Sequence, residues 1–141
     1  MSAGLTTARV MSPNEISHEI IEIIKAALKV HSALGPGLLE SAYRGCLVHE
    51  LRKAGFRVET EVLLPVVYDG VKMDFGYRID LLVNDLVIVE LKSAEEISRV
   101  HVAQTLSYMK LSKKQLGLII NFNVLHLKDG LKRLVEGEGW K

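Results

Sequence analysis

Two acids and a lysine stand where runs of apolar residues end. Leu86-Val87-Ile88-Val89 is followed by Glu90-Leu91-Lys92. In an extended strand alternate side chains leave opposite faces, so Glu90 and Lys92 share a face with Ile88, and Leu91 takes the other. Upstream, Asp80 follows Arg78-Ile79, in a segment able to lie antiparallel to this one and bring its carboxylate to the exit of the central strand. Two carboxylates from adjacent strands raise each other's proton affinity unless a cation lies between them. Such an oxygen-only pair suits Mg2+ or Mn2+ rather than zinc. A lysine two residues from one acid can stabilise charge developing on an attacked phosphate, or orient the attacking water. Glu-x-Lys is a short string, however. Alone it equally describes a buried strand surfacing into solvent, with Arg78 and Lys92 as salt-bridge partners of Asp80.

Two helical groups point the same way. His101, Gln104 and Tyr108 fall at i, i+3 and i+7, a polar stripe opposite Val102, Leu106 and Met109. Glu40 and Tyr43 lie just past Gly35-Pro36-Gly37, near the positive end of a helix dipole. Tyr43 either supports Glu40 through its hydroxyl or fills the space between helix and sheet. The other candidates read as structural. His18, His31 and His49 are expected at the surface or its boundary, His126 on an edge strand, and Cys46 as a small packed group. Gly35 and Gly37 lack the preceding strand and following Lys-Ser or Lys-Thr of a phosphate loop, so they form a turn.

The elements that position these residues follow from the pattern. Ser12-Pro13-Asn14-Glu15 reads as a cap, a first-turn proline and a capping-box acid. Ile16, Ile20, Ile23, Ile24 and Ala27 continue it as one helical stripe, stopped at Gly35-Pro36-Gly37. A second helix runs from about Leu38 to Ala54, with Gly55 ending it. The period then alternates: Val58, Thr60, Val62 and Leu64 share one side of a strand, and Pro65 limits its pairing. Val66–Tyr68 and Val71–Met73 flank Asp69-Gly70 as a tight hairpin. Tyr77–Val83 and Leu86–Lys92 are joined only by Asn84-Asp85, so they must be antiparallel. A third helix, Ile97–Leu111, lets Leu116–Asn121 return parallel to the central strand. Leu131–Val135 follows the Asp129-Gly130 turn as a last short element. Together these elements make a mixed sheet with helices on its faces.

Composition sets outer bounds. The chain has 141 residues, 48% of them hydrophobic and 25% charged, which suits one folded domain and excludes disorder as the main state. Mean hydropathy is +0.19, yet no apolar run is long enough to cross a bilayer. Residues 1–11 carry no secretory apolar stretch, and Cys46 has no second cysteine for a disulfide or a thiolate zinc site. The cytoplasm is the expected location. Net charge is +1, but Arg99, Lys110, Lys113, Lys114, Lys128, Lys132 and Arg133 face a single acid, Asp129, between Ile97 and Arg133. That stretch is either a phosphate-tracking surface or a solvated helix face with a basic tail.

Several of these strings together resemble a known family. Gly37-Leu38-Leu39-Glu40-Ser41-Ala42-Tyr43 is similar to the signature of the GxxExxY family, a branch of the PD-(D/E)xK nuclease superfamily. The resemblance continues through Gly76-Tyr77-Arg78-Ile79-Asp80, Ile88-Val89-Glu90-Leu91-Lys92 and His101-Val102-Ala103-Gln104. It extends to Leu118-Ile119-Ile120-Asn121-Phe122 and Leu127-Lys128-Asp129-Gly130. It implies a restriction-endonuclease-like αβββαβ core of the α/β class with an extra N-terminal helix. It further implies Asp80 and Glu90 as metal ligands, with Glu40 and the carbonyl of Leu91 completing the set. Lys92 is then the catalytic lysine and Gln104 the supporting helix glutamine.

The expected function is therefore Mg2+- or Mn2+-dependent hydrolysis of phosphodiester bonds in nucleic acid, DNA before RNA. Arg99, His101, Lys110, Lys113 and Lys114 are expected to contact the nucleic acid. The alternative is a catalytically inactive nuclease fold that binds nucleic acid or assembles with protein. No membrane association is expected, and a homodimer is left open. Residues 1–11 are expected to be flexible, 12–136 to form the domain and 137–141 to be a tail.

Overall fold

Burial of one helical stripe explains the first helices of the computed structural model, which describes residues 7–10 and 17–137. Ile20, Ile23, Ala27 and Val30 are the buried face of α1 (His18–Leu34). Its N-cap is Ser17, whose hydroxyl accepts from the Ile20 N–H at 3.2 Å. The expected capping box at Ser12–Glu15 and the apolar position Ile16 lie outside the described residues. Tyr43, Leu47, Val48 and Leu51 are the buried side of α2 (Glu40–Lys53). Both helices pack on one face of the sheet, over Leu81, Val83, Val87, Val89, Leu118 and Ile120.

The strands are β1 (Thr7–Val10), β2 (Val58–Leu63), β3 (Val66–Tyr68), β4 (Val71–Met73), β5 (Arg78–Val83), β6 (Val87–Lys92), β7 (Leu116–Asn121) and β8 (Leu131–Gly137). Six of them form a sheet in the order β1-β8-β7-β6-β5-β2, and β3 pairs with β4 alone. Every pairing is antiparallel except β6 with β7, which is parallel because α3 (Arg99–Ser112) carries the chain back between them. α3 covers the opposite face, where Tyr108 and Met109 meet Ile79, Leu82, Ile88 and Ile119. β6 is buried from Val87 to Leu91, as its unbroken apolar run requires. Positive φ at Asn84 and Asp85 and at Asp69 and Gly70 makes both short connections tight hairpin turns. No helix among the described residues is long and apolar enough to cross a membrane.

Several details differ from the sequence-based expectations. Thr7–Val10, inside the stretch expected to be flexible, is an edge strand paired with β8. His126 precedes a 3-10 turn at Leu127–Gly130 instead of lying on a strand. Cys46 is exposed rather than packed. His31 is buried, with Nε2 bonded to the Val124 carbonyl at 2.8 Å, because the loop after β7 folds down on α1.

Candidate active site

The β5–β6 ladder opens where the acids stand. Leu81 opposite Val89 is the last paired position, and Asp80 would next oppose Glu90. There the side chains replace the main-chain bonds. Glu90 Oε2 accepts from the Asp80 N–H at 2.9 Å, and Asp80 Oδ2 accepts from the Leu91 N–H at 2.8 Å. The other edge of β5 is disturbed at the same level. Thr60 pairs with Leu81 and Val62 with Ile79, leaving Glu61 across from Asp80 with φ +50°. A non-glycine residue in that region costs about 1–3 kcal/mol and persists only where its surroundings enforce it. Ile79 also packs with Leu82 on the α3 side, although strict alternation would put it with Leu81. β5 thus turns over at Asp80.

Burial and mutual repulsion govern the protonation of the pair. Glu90 is 3% exposed. Its burial, then the neighbouring Asp80 charge, push its pKa up to about 8. Asp80 is raised as well, by burial first, while the Leu91 N–H, Lys92 and Arg44 pull it down and Glu40 pushes it up. Each carboxylate uses one oxygen on a backbone N–H and has no other partner among the described residues for the second. No buried side-chain oxygen or nitrogen among the described residues lacks a partner, so both second oxygens reach solvent.

The main chain adds a third oxygen. The Lys92 carbonyl accepts from Phe122 N–H at 3.0 Å on the β7 side, so the carbonyl of Leu91, one residue earlier, faces the β5 side beside Asp80. Lys92 follows on the same strand face as Glu90. Its ammonium makes no hydrogen bond and no ion pair within 4.0 Å among the described residues, yet it lowers the pKa of both acids. Glu40, the first residue of α2, is exposed and near enough to raise both acids. Among the described residues no three of His, Cys, Asp and Glu stand together as a metal-binding group. Tyr43 does not support Glu40. Its hydroxyl donates to the Gly35 carbonyl (2.6 Å) and accepts from the Leu38 N–H (3.1 Å), while its ring stacks on Phe122 at 4.4 Å.

From α3, Gln104 Nε2 donates to the Tyr108 hydroxyl at 3.2 Å. Burial, then the Glu90 charge, raise the pKa of that hydroxyl, and the ring is buried in one cluster with Ile79 and Ile88, close in the chain to Asp80 and Glu90. Gln104 therefore reaches the site through Tyr108. His101 serves the helix itself. Its Nδ1 accepts from the Ser98 N–H and its own N–H donates to Ser98 Oγ, a capping box at the start of α3. The basic residues do not form one surface. Arg99 begins α3 at the site's end of the sheet, while Lys110 and Lys113 lie at the far end of a helix about 20 Å long. Lys114 is also at that end, bonded to Asp85 at 2.9 Å in the β5–β6 turn.

Asn121 was not singled out by sequence reasoning. Buried at 1% exposure, it lies level with Lys92 on β7. Its Oδ1 accepts from Ala94 and Asn123 N–H, both at 3.1 Å, and its Nδ2 donates to the Ala94 carbonyl at 2.9 Å. It clamps the segment that leaves Lys92. The available signal is an amide ending an otherwise apolar strand.

A mixed sheet covered by helices, with two acids and a lysine where its central strands part, defines a nuclease-like α/β fold. A family model described as the PD-(D/E)XK nuclease superfamily matches residues 15–134, and the chain belongs to that superfamily. Among the curated proteins and the solved structures, none matches the chain. Nucleases of this superfamily generally use divalent metals. The donors here fit a small hard cation: two carboxylate oxygens open to solvent and a main-chain carbonyl beside them. Mg2+ is commonly held by one or two carboxylates, with water and substrate phosphate filling its other positions.

Proposed function

We propose that this chain is a Mg2+- or Mn2+-dependent nuclease of the GxxExxY branch, acting in the cytoplasm on phosphodiester bonds, with DNA as its substrate. The observation that carries this reading is the repelling carboxylate pair, Glu90 buried and Asp80 half-buried, with one oxygen of each reaching solvent. Asp80, Glu90 and the carbonyl of Leu91 would hold the cation. When bound, it supplies acidified water and neutralises phosphate charge. Lys92 places a positive charge toward the same opening, where negative charge grows on the attacked phosphate. Gln104 and Tyr108 form the wall on the α3 side and restrict solvent there. Glu40 is the outer acid at the mouth, and Arg99 is the basic residue best placed to meet the phosphate backbone.

The test is cleavage of plasmid and of labelled oligonucleotides with Mg2+, with Mn2+ and in EDTA. Activity is expected only with the cations. Glu90→Gln and Lys92→Ala should each lower the rate by at least about a hundredfold. Equal rates in wild type and Glu90→Gln would overturn the reading. A second reading, an inactive nucleic-acid-binding fold, is favoured by one observation: both acids also hold backbone N–H groups. It predicts no heat of Mn2+ binding in calorimetry, whereas the nuclease reading predicts binding that Glu90→Gln weakens.

A further inference from the structure

The chain leaves the β3–β4 hairpin through Asp74-Phe75-Gly76-Tyr77, and three ties fix this turn. Asp74 Oδ1 accepts from the Gly76 N–H at 2.8 Å, Gly76 has φ +81°, and the Tyr77 carbonyl accepts from the Leu64 N–H at 2.9 Å. The fixed turn holds two large rings in solvent. Phe75 is 59% exposed and Tyr77 44%. Their centroids are 6.3 Å apart at 50°, and Tyr77 stands 6.1 Å from Tyr108 at 47°. Tyr108 is buried in one cluster with Ile79 and Ile88, one residue from Asp80 and two from Glu90, so the three rings lead from solvent toward the strands that carry the carboxylates. Exposed rings of this size on a fixed backbone are surfaces for stacking, because each offers a rigid apolar face at little cost in side-chain entropy. Cations border them. Lys72 has no ion pair among the described residues, and Arg78 engages one nitrogen, Nη1, which donates to the Tyr77 carbonyl at 3.1 Å and lies 3.8 Å from Asp74, so Lys72 and the other guanidinium N–H groups remain able to approach phosphates.

We propose that Phe75 and Tyr77 form a stacking site for unpaired nucleobases that leads a single strand to the Asp80–Glu90 opening. The inference rests on the reading that this site acts on nucleic acid. The occupant is a base rather than a backbone, since a ring face recognises a π surface and the flanking cations serve the phosphates.

Fluorescence anisotropy in EDTA tests it without cleavage, using labelled oligodeoxyuridylate, oligouridylate and an abasic strand of equal length. At least one of the base-bearing strands should bind about tenfold more tightly than the abasic strand. The tighter of the two identifies the sugar. Phe75→Ala and Tyr77→Leu should each remove most of that preference and leave abasic binding unchanged, and Phe75→Trp should retain it. Because both rings are exposed, the variants should melt like wild type. Equal affinity for all three strands in wild type would overturn the proposal. So would an equal loss toward base-bearing and abasic strands in the variants. Sedimentation showing a dimer that Phe75→Ala dissociates, with no base-dependent binding, would reassign the rings to self-association. If Glu90→Gln leaves cleavage intact while the base preference holds, the nuclease reading fails and the guiding of a strand to Asp80 and Glu90 fails with it, leaving Phe75 and Tyr77 as a base-stacking site alone.

Discussion

A carboxyl group that keeps its proton up to pH about 8 makes folding itself sensitive to pH at Glu90. Between about 4.5, the ordinary value, and about 8, the folded protein retains a proton that the unfolded chain releases. Stability therefore falls as pH rises through that window, by at most about 1.4 kcal/mol per pH unit for one group. Asp80 is shifted in the same direction. Glu50 and Asp85 are lowered, so their contribution is lost only as pH falls below the ordinary carboxylate range. Urea unfolding in EDTA at acid, neutral and mildly alkaline pH should show wild type weakening steadily with pH. Glu90→Gln should weaken less and be the more stable protein at the alkaline end. Parallel slopes would mean that Glu90 is ionised throughout. At this scale the sequence was informative about residue types: Asp80, Glu90 and Lys92 follow from strand alternation, and two carboxylates do meet. What alternation could not show is that the acids take over main-chain hydrogen bonding, because that depends on β5 turning over at Asp80.

Helices and loops are joined by single side chains whose reach the sequence did not reveal. Tyr43 ties the loop before α2 to that helix with two hydrogen bonds, at Gly35 and Leu38. Tyr43→Phe keeps the stacking on Phe122 but leaves both backbone groups without that partner. Its urea midpoint should fall by the equivalent of about 1–3 kcal/mol, with an unchanged slope. Gly130 is needed for a different reason. A Cβ there would collide with the Asn121 carbonyl and approach Val124 at 3.1 Å. Gly130→Ala should cost about 3 kcal/mol, measured the same way. The sequence identified Asp129-Gly130 as a turn, but the need for glycine arises from a residue nine positions earlier. Hairpin turns were legible because Asn84-Asp85 and Asp69-Gly70 set them locally. β1 was not: a short mixed segment carries no strand signal of its own, and it is the open edge of β8 that recruits it.

Across the molecule, charge is spread rather than concentrated. Helix direction decides this: a basic run along α3 is divided between the two ends of the sheet. Lys114→Ala should leave nucleic-acid binding and its salt dependence unchanged, and change stability little, because its contacts are an ion pair and a carbonyl hydrogen bond to the exposed Asp85. Arg99→Ala should weaken binding and reduce the salt slope. Anisotropy titrations at several salt concentrations separate the two outcomes. The overall architecture was legible because it depends on connection lengths. Three residues between β5 and β6 force antiparallel neighbours, and a helix between β6 and β7 permits parallel ones. Three-dimensional proximity of charges was not, because Lys114 and Asp85 are distant in sequence.

The idle ammonium of Lys92 has a consequence for descent. Asp80 and Glu90 each bond the backbone of the other's strand, so a lineage without the proposed hydrolysis would still use them to join β5 and β6. Lys92 fastens nothing among the described residues. If the chain performs the proposed hydrolysis, selection for it alone would maintain Lys92, and its replacement would be the earliest mark of a descendant that has become silent.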